Sequence, residues 1–531
     1  MNMNQSHRFT HILSHRIAPV VLLLTLLSLP LRAEIRLSAT NEERKSELRD
    51  SLLTARFDSL VRVLLPKGAN VALMAYDLNE RRTLYTYQAD KLGRPASNMK
   101  LLTTIAALDR EEADEPFRTE VWAESTGQGR EVMPAEGIQQ VAQQTAQQDT
   151  LYGNLYVVGG MDPEFDDAAL DSLVAQVARQ PYTVICGSVY GDVSLRDSLP
   201  YGNGWCWDDI PYDYQPWLSP LMLCKGVVQV KATPSPVKGE PAQLSFTPSS
   251  SYYTVDNQTQ SRTPEAGSFH VERNWMTQSN HLVVGGNVDR PRSSSLTLHG
   301  SAELFMHTFV ERLQARGVSL IDTLTRAPLS APVYAWRALP DDSTATSWLV
   351  ARYETAMQDV VKQVMKESDN LNTEALLTRL GAQSTGHRHI HTEDGLKAVR
   401  ELIKRLGLNP KDYNLADGCG LSNYNAISPE LLVAFLRHAH SRTDLFQKLY
   451  KALPVAGVDG TLKGRMKKGS PAYGHVHPKP GTISGISSLS GYLQGRSGHW
   501  IAFSIMNQNQ LSGRDARRMQ DILCEQMILS M

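Results

Sequence analysis

Three short groups of residues in this chain carry the side-chain types that serine acyl transfer needs. In Pro95-Ala96-Ser97-Asn98-Met99-Lys100, ahead of the apolar run 101–108, a hydroxyl and an amine stand three residues apart. Positions three apart share a helix face, and serine is a helix-capping residue, so the pattern predicts a helix opened by Ser97 with Lys100 in its first turn. A serine is a weak nucleophile until a neighbouring base takes its proton, and a partly desolvated lysine is such a base. In Ser368-Asp369-Asn370, Ser368 can relay a proton between that base and a leaving amine, and the Asn370 amide can hold a peptide group. In Lys479-Pro480-Gly481-Thr482, Lys479 can face a carboxylate. Gly481 lets the backbone come close, so that the N–H groups of Thr482 and Ser97 can form an oxyanion hole.

These groups need elements to bring them together. Over residues 41–65, Leu48, Leu52, Phe57, Leu60, Val61 and Leu64 recur at helical spacing before Pro66 and Gly68. The runs 70–77 and 83–88 read as a hairpin, which leaves Ser97 just after a sheet edge, where a pocket can form. From about 117 to 337, short strand-like runs such as 156–163, 182–187 and 226–232 alternate with Gly, Pro, Ser and Asn, and predict an all-β insertion. Helical signals return after Ser343, with an apolar stripe over 349–380 and good helix starts at 393 and 428. Strand patterns at 488–494 and 499–506, then a helix at 512–528, close the chain. Its first and last parts thus share an α/β character.

At 531 residues the chain exceeds one ordinary core. Lys+Arg 54 against Asp+Glu 55 gives a formal net charge of −1, which points to neither nucleic acid nor an anionic membrane. Arg8 and Arg16 precede an apolar run over 17–31 that ends in Leu31-Arg32-Ala33, a secretory signal pattern with cleavage expected after Ala33 and an uncleaved anchor as the alternative. No cysteine follows that run, so no lipid anchor is indicated. Five cysteines allow one or two disulfides, with Cys206–Cys224 the expected pair.

The order Ser97, Ser368, Lys479 is that of the Ser-x-x-Lys, Ser-Asp-Asn and Lys-Thr-Gly set shared by penicillin-binding proteins and class A β-lactamases. The chain resembles, more closely, the penicillin-binding protein 4 family of D-alanyl-D-alanine carboxypeptidase/endopeptidases, peptidase family S13. Four further stretches carry the likeness: Gly159-Gly160-Met161-Asp162-Pro163, Gly204-Trp205-Cys206-Trp207-Asp208-Asp209-Ile210, Asp417-Gly418-Cys419-Gly420-Leu421-Ser422, and the run from Leu453 to Leu462. The gap 368 − 97 = 271 residues is too long for a plain β-lactamase fold but suits a family that inserts domains there.

The resemblance implies an α/β (α+β) transpeptidase-like serine acyl-enzyme domain, helices around an antiparallel sheet, with inserted β-rich domains. The expected division is a signal peptide at 1–33, catalytic parts at 34–117 and 341–531, and a β-rich insertion of two small domains at 118–340. Ser97 would be the acylated nucleophile, Lys100 its base, Ser368 the proton relay, Asn370 the holder of the substrate amide and Lys479 the partner of the terminal D-Ala carboxylate. Gly481 and Thr482 would shape the oxyanion hole. Leu421, Ile483 and Ser484 would line the pocket, and Asp162 would meet the free amine of a peptidoglycan side chain. The expected activity is trimming of peptidoglycan stem peptides outside the cytoplasm, in the periplasm or cell envelope, soluble or peripherally attached. It needs no metal or organic cofactor, no nucleic acid and no membrane span after signal cleavage, and β-lactams would be covalent inhibitors.

The family's Lys-Thr-Gly is here Lys479-Pro480-Gly481. Proline removes a hydroxyl and a backbone donor, which predicts a slower enzyme and leaves a non-catalytic peptidoglycan-binding relative as the alternative. A β-lactamase-like or esterase hydrolase is a second alternative, disfavoured by the long insertion and by Asp162. Cys419 stands where the family has serine and is expected to be a small buried residue. The run His387-Arg388-His389-Ile390-His391 reads as a solvated loop rather than a metal cluster, and Trp205, Trp207, Tyr212, Tyr214 and Trp217 as packing of the insertion, with a glycan-binding platform as the alternative.

Overall fold

The computed structural model of the chain describes residues 51–125, 150–321, 327–340 and 347–530. The expected signal segment at 1–33 and the start of the 41–65 helix lie outside the described residues; residues 51–64 are helical. Strands β1 (Asn70–Asp77) and β2 (Arg82–Tyr87) form the expected hairpin. A 3₁₀ turn, Ala96–Asn98, leads into α1 (Met99–Leu108), whose ten residues are all buried, as its unbroken apolar run requires.

The insertion is β-rich but not all-β. Strands β3 (Phe117–Ser125), β4 (Thr150–Gly159), β5 (Val184–Cys186) and β6 (Val189–Asp192) accompany α2 (Asp167–Ala178). Next come β7 (Val227–Thr233), β8 (Gln243–Thr247), β9 (Thr254–Ser261), β10 (His270–Arg273), β11 (His281–Val288) and β12 (Arg292–Thr297). Helix α3 (Ser301–Ala315) precedes β13 (Ser319–Ile321), β14 (Ala335–Trp336) and β15 (Ser347–Thr355). Strands β12-β7-β8 and β10-β11-β9 form two small sheets, and β13-β5-β4-β3-β15, with β6 and β14, form a larger one. Helix α2 carries a local signal: Asp166 caps it, and Leu170, Leu173, Val174 and Val177 lie on its buried face at helical spacing.

Residues 349–355, expected to be helical, belong to β15, which pairs antiparallel with β3. Helices then follow in the expected region: α4 (Met357–Lys366), α5 (Asn370–Thr385), α6 (Thr392–Arg405), α7 (Pro429–Ser441) and α8 (Thr443–Ala452). The chain ends in β16 (Val476–Ile483), β17 (Ile486–Gln494), β18 (Trp500–Gln508) and α9 (Gly513–Ser530).

Both ends of the chain build one five-stranded antiparallel sheet, in the order β16-β17-β18-β1-β2. Strands β17 and β18 are buried almost throughout, and α1, α4 to α8 and this sheet share one apolar core that includes Leu101, Ile105, Val361, Leu376, Phe435 and Tyr492. The second large core lies within the insertion, around Leu155, Leu170, Phe305 and Phe309. No helix among the described residues is long and apolar enough to cross a membrane.

Candidate active site

The three sequence groups meet where α1 begins, between the edge strand β16 and the start of α5. Ser97 lies inside the 3₁₀ turn rather than capping α1, and no side chain caps that helix. Its hydroxyl has another partner: Lys100 Nζ lies 3.2 Å from Ser97 Oγ. The same Nζ donates to Asn370 Oδ1 at 2.6 Å and to the Cys419 carbonyl at 2.8 Å. Lys100 is fully buried, and burial pulls its pKa below the usual lysine range against the raising influence of Cys419, Asp417, Asp369 and Glu374. A buried amine with a lowered proton affinity, in contact with a half-buried hydroxyl, has the make-up of a general base beside its nucleophile.

Lys479 mirrors this arrangement with the second serine. Its Nζ donates to Ser368 Oγ at 2.8 Å and to its neighbour's carbonyl, Pro480 O, at 3.0 Å. Burial drives its pKa far down, and the charge of Lys100 drives it further. Ser368 holds φ +63, a left-handed conformation that costs a residue with a Cβ roughly 1–2 kcal/mol. This residue separates α4 from α5. Asp369 then caps α5, accepting from Asn372 N at 2.9 Å.

Edge strand β16 is fastened to the nucleophile turn. Asn98 Nδ2 donates to Lys479 O at 2.7 Å, and Ser488 Oγ, on the neighbouring β17, donates to Pro95 O at 2.5 Å. A Cβ added to Gly481 would lie 2.8 Å from Ser97 N and 2.3 Å from Ser488 Oγ, so only glycine allows this approach. Pro480 is tolerated because β16 pairs with β17 alone, and an edge strand leaves one side without ladder partners. Thr482 follows at an exposed position, Ile483 ends the strand half-buried, and Ser484 is exposed in the turn to β17.

The loop after residue 416 supports Lys100 from the other side. Glu374 Oε1 accepts from the Gly418 and Cys419 N–H groups, each at 2.9 Å. Asp417 accepts from Gly420 N, Ser422 N, Asn425 Nδ2 and Trp205 Nε1. Both carboxylates are buried, and burial raises the Glu374 pKa to about 7. Cys419 is fully buried, as expected, and burial holds its thiol well above the usual range. Leu421 is half-buried in this loop, next to Gly420, whose own Cβ position is closed off by Ala96 O.

Several partners of the site have no local signal in the sequence. Lys225, in the insertion, reaches Asp369 Oδ2 at 2.5 Å, Asn372 Oδ1 at 2.9 Å and Glu164 Oε1 at 2.7 Å. Asn370 Nδ2 donates to the Tyr214 carbonyl at 2.6 Å. A cavity of about 440 Å³, lined in part by Tyr214, Lys225, Gln229, Ser368 and Asn370, adjoins this contact.

Other expected residues have the following surroundings. Asp162 is 1 % exposed, and its oxygens accept from Thr355 Oγ1 at 2.6 Å and from Glu164 N at 3.0 Å. Burial raises its pKa to about 6. Cys206 and Cys224 are both free thiols. His387, His389 and His391 are exposed in the loop ahead of α6, as expected; His391 stands at the N-cap of that helix and meets Asp197 at 3.0 Å. Trp205 is tied down through Asp417, but Trp207, Tyr212 and Tyr214 are exposed rather than packed.

Comparison with known proteins finds relatives over most of the chain. The sequence profile of the D-Ala-D-Ala carboxypeptidase 3 (S13) family matches residues 53–134 and 138–527. The chain is 31% identical over 512 residues to a D-alanyl-D-alanine carboxypeptidase of Actinomadura sp. (strain R39), covering 93% of this chain and 86% of that one. It is 24% identical to the D-alanyl-D-alanine carboxypeptidase DacB of Haemophilus influenzae, over 83% of this chain and 85% of that one. The crystal structure of penicillin binding protein 4 from Haemophilus influenzae superposes with a TM-score of 0.67 at 21% identity, covering 88% of this chain and 99% of that one. That likeness shows the fold: a penicillin-binding-protein domain with inserted domains.

Proposed function

The chain belongs to the D-Ala-D-Ala carboxypeptidase 3 (S13) family, and from that premise we propose that it is a serine D-alanyl-D-alanine carboxypeptidase acting through an acyl-enzyme on Ser97. The observation that carries the assignment of residues is the pair of buried lysines, each with its Nζ on a serine hydroxyl. In the proposed cycle Lys100, in its neutral form, takes the Ser97 proton as Oγ attacks the carbonyl of the D-Ala-D-Ala bond. Ser97 N–H and Thr482 N–H stabilise the oxyanion, with Gly481 providing the close approach. The proton passes by way of Ser368, held by Lys479, to the departing amine of D-alanine, and water then releases the acyl group. Lys479 receives the terminal carboxylate. A carboxylate arriving beside this buried amine favours its charged form, so binding and protonation of Lys479 reinforce each other.

Asn370 holds Lys100 through Oδ1 and the Tyr214 carbonyl through Nδ2. Its first role is therefore to orient the base, and a substrate carbonyl that uses Nδ2 displaces Tyr214 O. The substrate is a peptidoglycan stem peptide, with cross-link cleavage as a second activity. Residues 1–33 act as a secretory signal that delivers the enzyme to the cell envelope. β-Lactams acylate Ser97.

The test is covalent labelling by fluorescent penicillin together with release of D-alanine from a peptide ending in D-Ala-D-Ala. Wild type should do both, and Ser97→Ala neither. An unlabelled, inactive wild type would overturn the enzyme reading in favour of a non-catalytic peptidoglycan binder. Rapid turnover of the penicillin without D-alanine release would favour a β-lactamase.

A further inference from the structure

The loop from Cys206 to Gln215 presents aromatic rings to solvent beside the catalytic cleft. Trp207 is 67 % exposed, Tyr212 54 % and Tyr214 43 %. The loop is nonetheless well anchored. Gln215 Nε2 donates to Cys206 O at 3.0 Å, Thr297 Oγ1 donates to Tyr212 O at 2.8 Å, and Asn370 Nδ2 donates to Tyr214 O. Hydrogen bonds thus fix the backbone while the apolar side chains face outward. The rings are paired: Tyr212 and Tyr214 stack with centroids 5.4 Å apart and planes at 8°, and Trp207 meets Trp275 at 5.3 Å. Apolar rings left in water on an ordered segment mark an interaction surface.

We propose that this aromatic surface, centred on Trp207 and Tyr212, binds the sugar rings of the peptidoglycan glycan strand. The inference rests on the carboxypeptidase reading for its choice of ligand. Three observations favour a glycan. Aromatic faces match the apolar C–H faces of sugar rings, and the exposed carboxylates Asp208 and Asp213 on the same loop can accept their hydroxyl donors. Those carboxylates also disfavour an anionic lipid surface. Finally, the surface is continuous with the cleft: Tyr214 belongs both to the ring pair and to the wall of the cavity that Ser368 and Asn370 line. A stem peptide of about five residues spans roughly 16–18 Å when extended, so the glycan that carries it stays close to the serine that cuts it. A surface beside the cleft, rather than a distant one, is where a tethered strand would be held.

The experiment compares wild type with Trp207→Ala and Tyr212→Ala in the full chain. Binding is read by co-sedimentation with purified sacculi and by titration with a peptide-free N-acetylglucosamine tetramer. Penicillin acylation and D-alanine release from a sugar-free peptide report on the catalytic centre. Both variants should weaken sacculus and tetramer binding about tenfold, the scale of losing one well-placed aromatic contact, while acylation and sugar-free turnover stay at the wild-type level. Trp207→Phe should retain most of the binding. Unchanged binding in both variants overturns the proposal. Loss of sugar-free turnover in proportion also overturns it, since the surface would then serve the peptide. Sacculus and tetramer binding by a wild type that penicillin fails to label would sink the enzymatic reading and leave the glycan surface standing.

Discussion

The charge of Lys100 lowers the proton affinity of Lys479, in addition to the burial that both amines share. Lys100 itself loses proton affinity to burial alone, and a neutral amine at that position is what the Ser97 nucleophile needs. The rate of acylation by a β-lactam should therefore rise with pH and level off below the ordinary lysine value of 10.5. Lys100→Ala should slow acylation by about 10²–10⁴-fold, and Lys100→Arg should not rescue it, because arginine stays protonated. Stopped-flow acylation across pH checks both; a flat profile in the wild type would exclude Lys100 as the base.

Gly481→Ala should slow acylation by about 10²–10³-fold while leaving the protein folded. The added methyl would press on Ser97 N and Ser488 Oγ, and relief requires β16 to move away from the nucleophile turn. Circular dichroism should show native content, and the rate of penicillin labelling should fall by about 10²–10³-fold, the scale for losing an oxyanion donor or its placement.

Pro480→Thr should speed D-alanine release. Threonine restores a hydroxyl and an N–H at an edge strand, and a hydrogen bond to a charged group is worth about 1.5–3 kcal/mol, or roughly tenfold to a hundredfold. Steady-state kinetics on a D-Ala-D-Ala peptide decide it. No gain would mean that the exposed hydroxyl of Thr482, two residues on, already meets the carboxylate.

Glu374 should make stability depend on pH in a direction opposite to that of most carboxylates. Its pKa is raised from 4.5 to about 7 by burial, so between those values the folded protein holds more protons than the unfolded chain. Stability from this group is therefore complete below pH 4.5, falls as pH rises through 7, and stays reduced above it, by up to about 3 kcal/mol. Glu374→Gln should flatten that slope in thermal melts between pH 4.5 and 8. A variant that keeps the wild-type slope would show that Glu374 stays ionised throughout.

Cys206→Ser should leave the melting temperature unchanged, with or without reductant, because Cys206 and Cys224 are free thiols. A fall on reduction of the wild type would indicate a disulfide between them.

What the sequence revealed was local. Ser97 and Lys100 share one turn, and Ser368 and Asn370 straddle a helix start, so each pair is legible as a spacing. Their supports are not. Lys225 lies 144 residues from Asp369, Tyr214 lies 156 from Asn370 and Trp205 lies 212 from Asp417, and nothing in composition or periodicity joins positions so far apart. The surroundings of Asp162 are hidden for a related reason: only the fold shows that Thr355, 193 residues away, donates to its carboxylate. The apolar stripe over 349–380 failed differently. A strand and two helices run in succession there, divided by Ala356 and by the left-handed Ser368, and a single period was laid across all three.

The sheet that joins the two chain ends also sets when this enzyme can first exist. Asn98 meets Lys479 across 381 residues and Pro95 meets Ser488 across 393. Closing loops that long costs little stability, since the entropy grows only with the logarithm of length, but it slows folding. A chain still emerging and short of β16 has its nucleophile and base in place yet lacks Lys479, Gly481 and the strand that steadies the turn. Acyl-transfer competence therefore comes last, after nearly the whole polypeptide has been made.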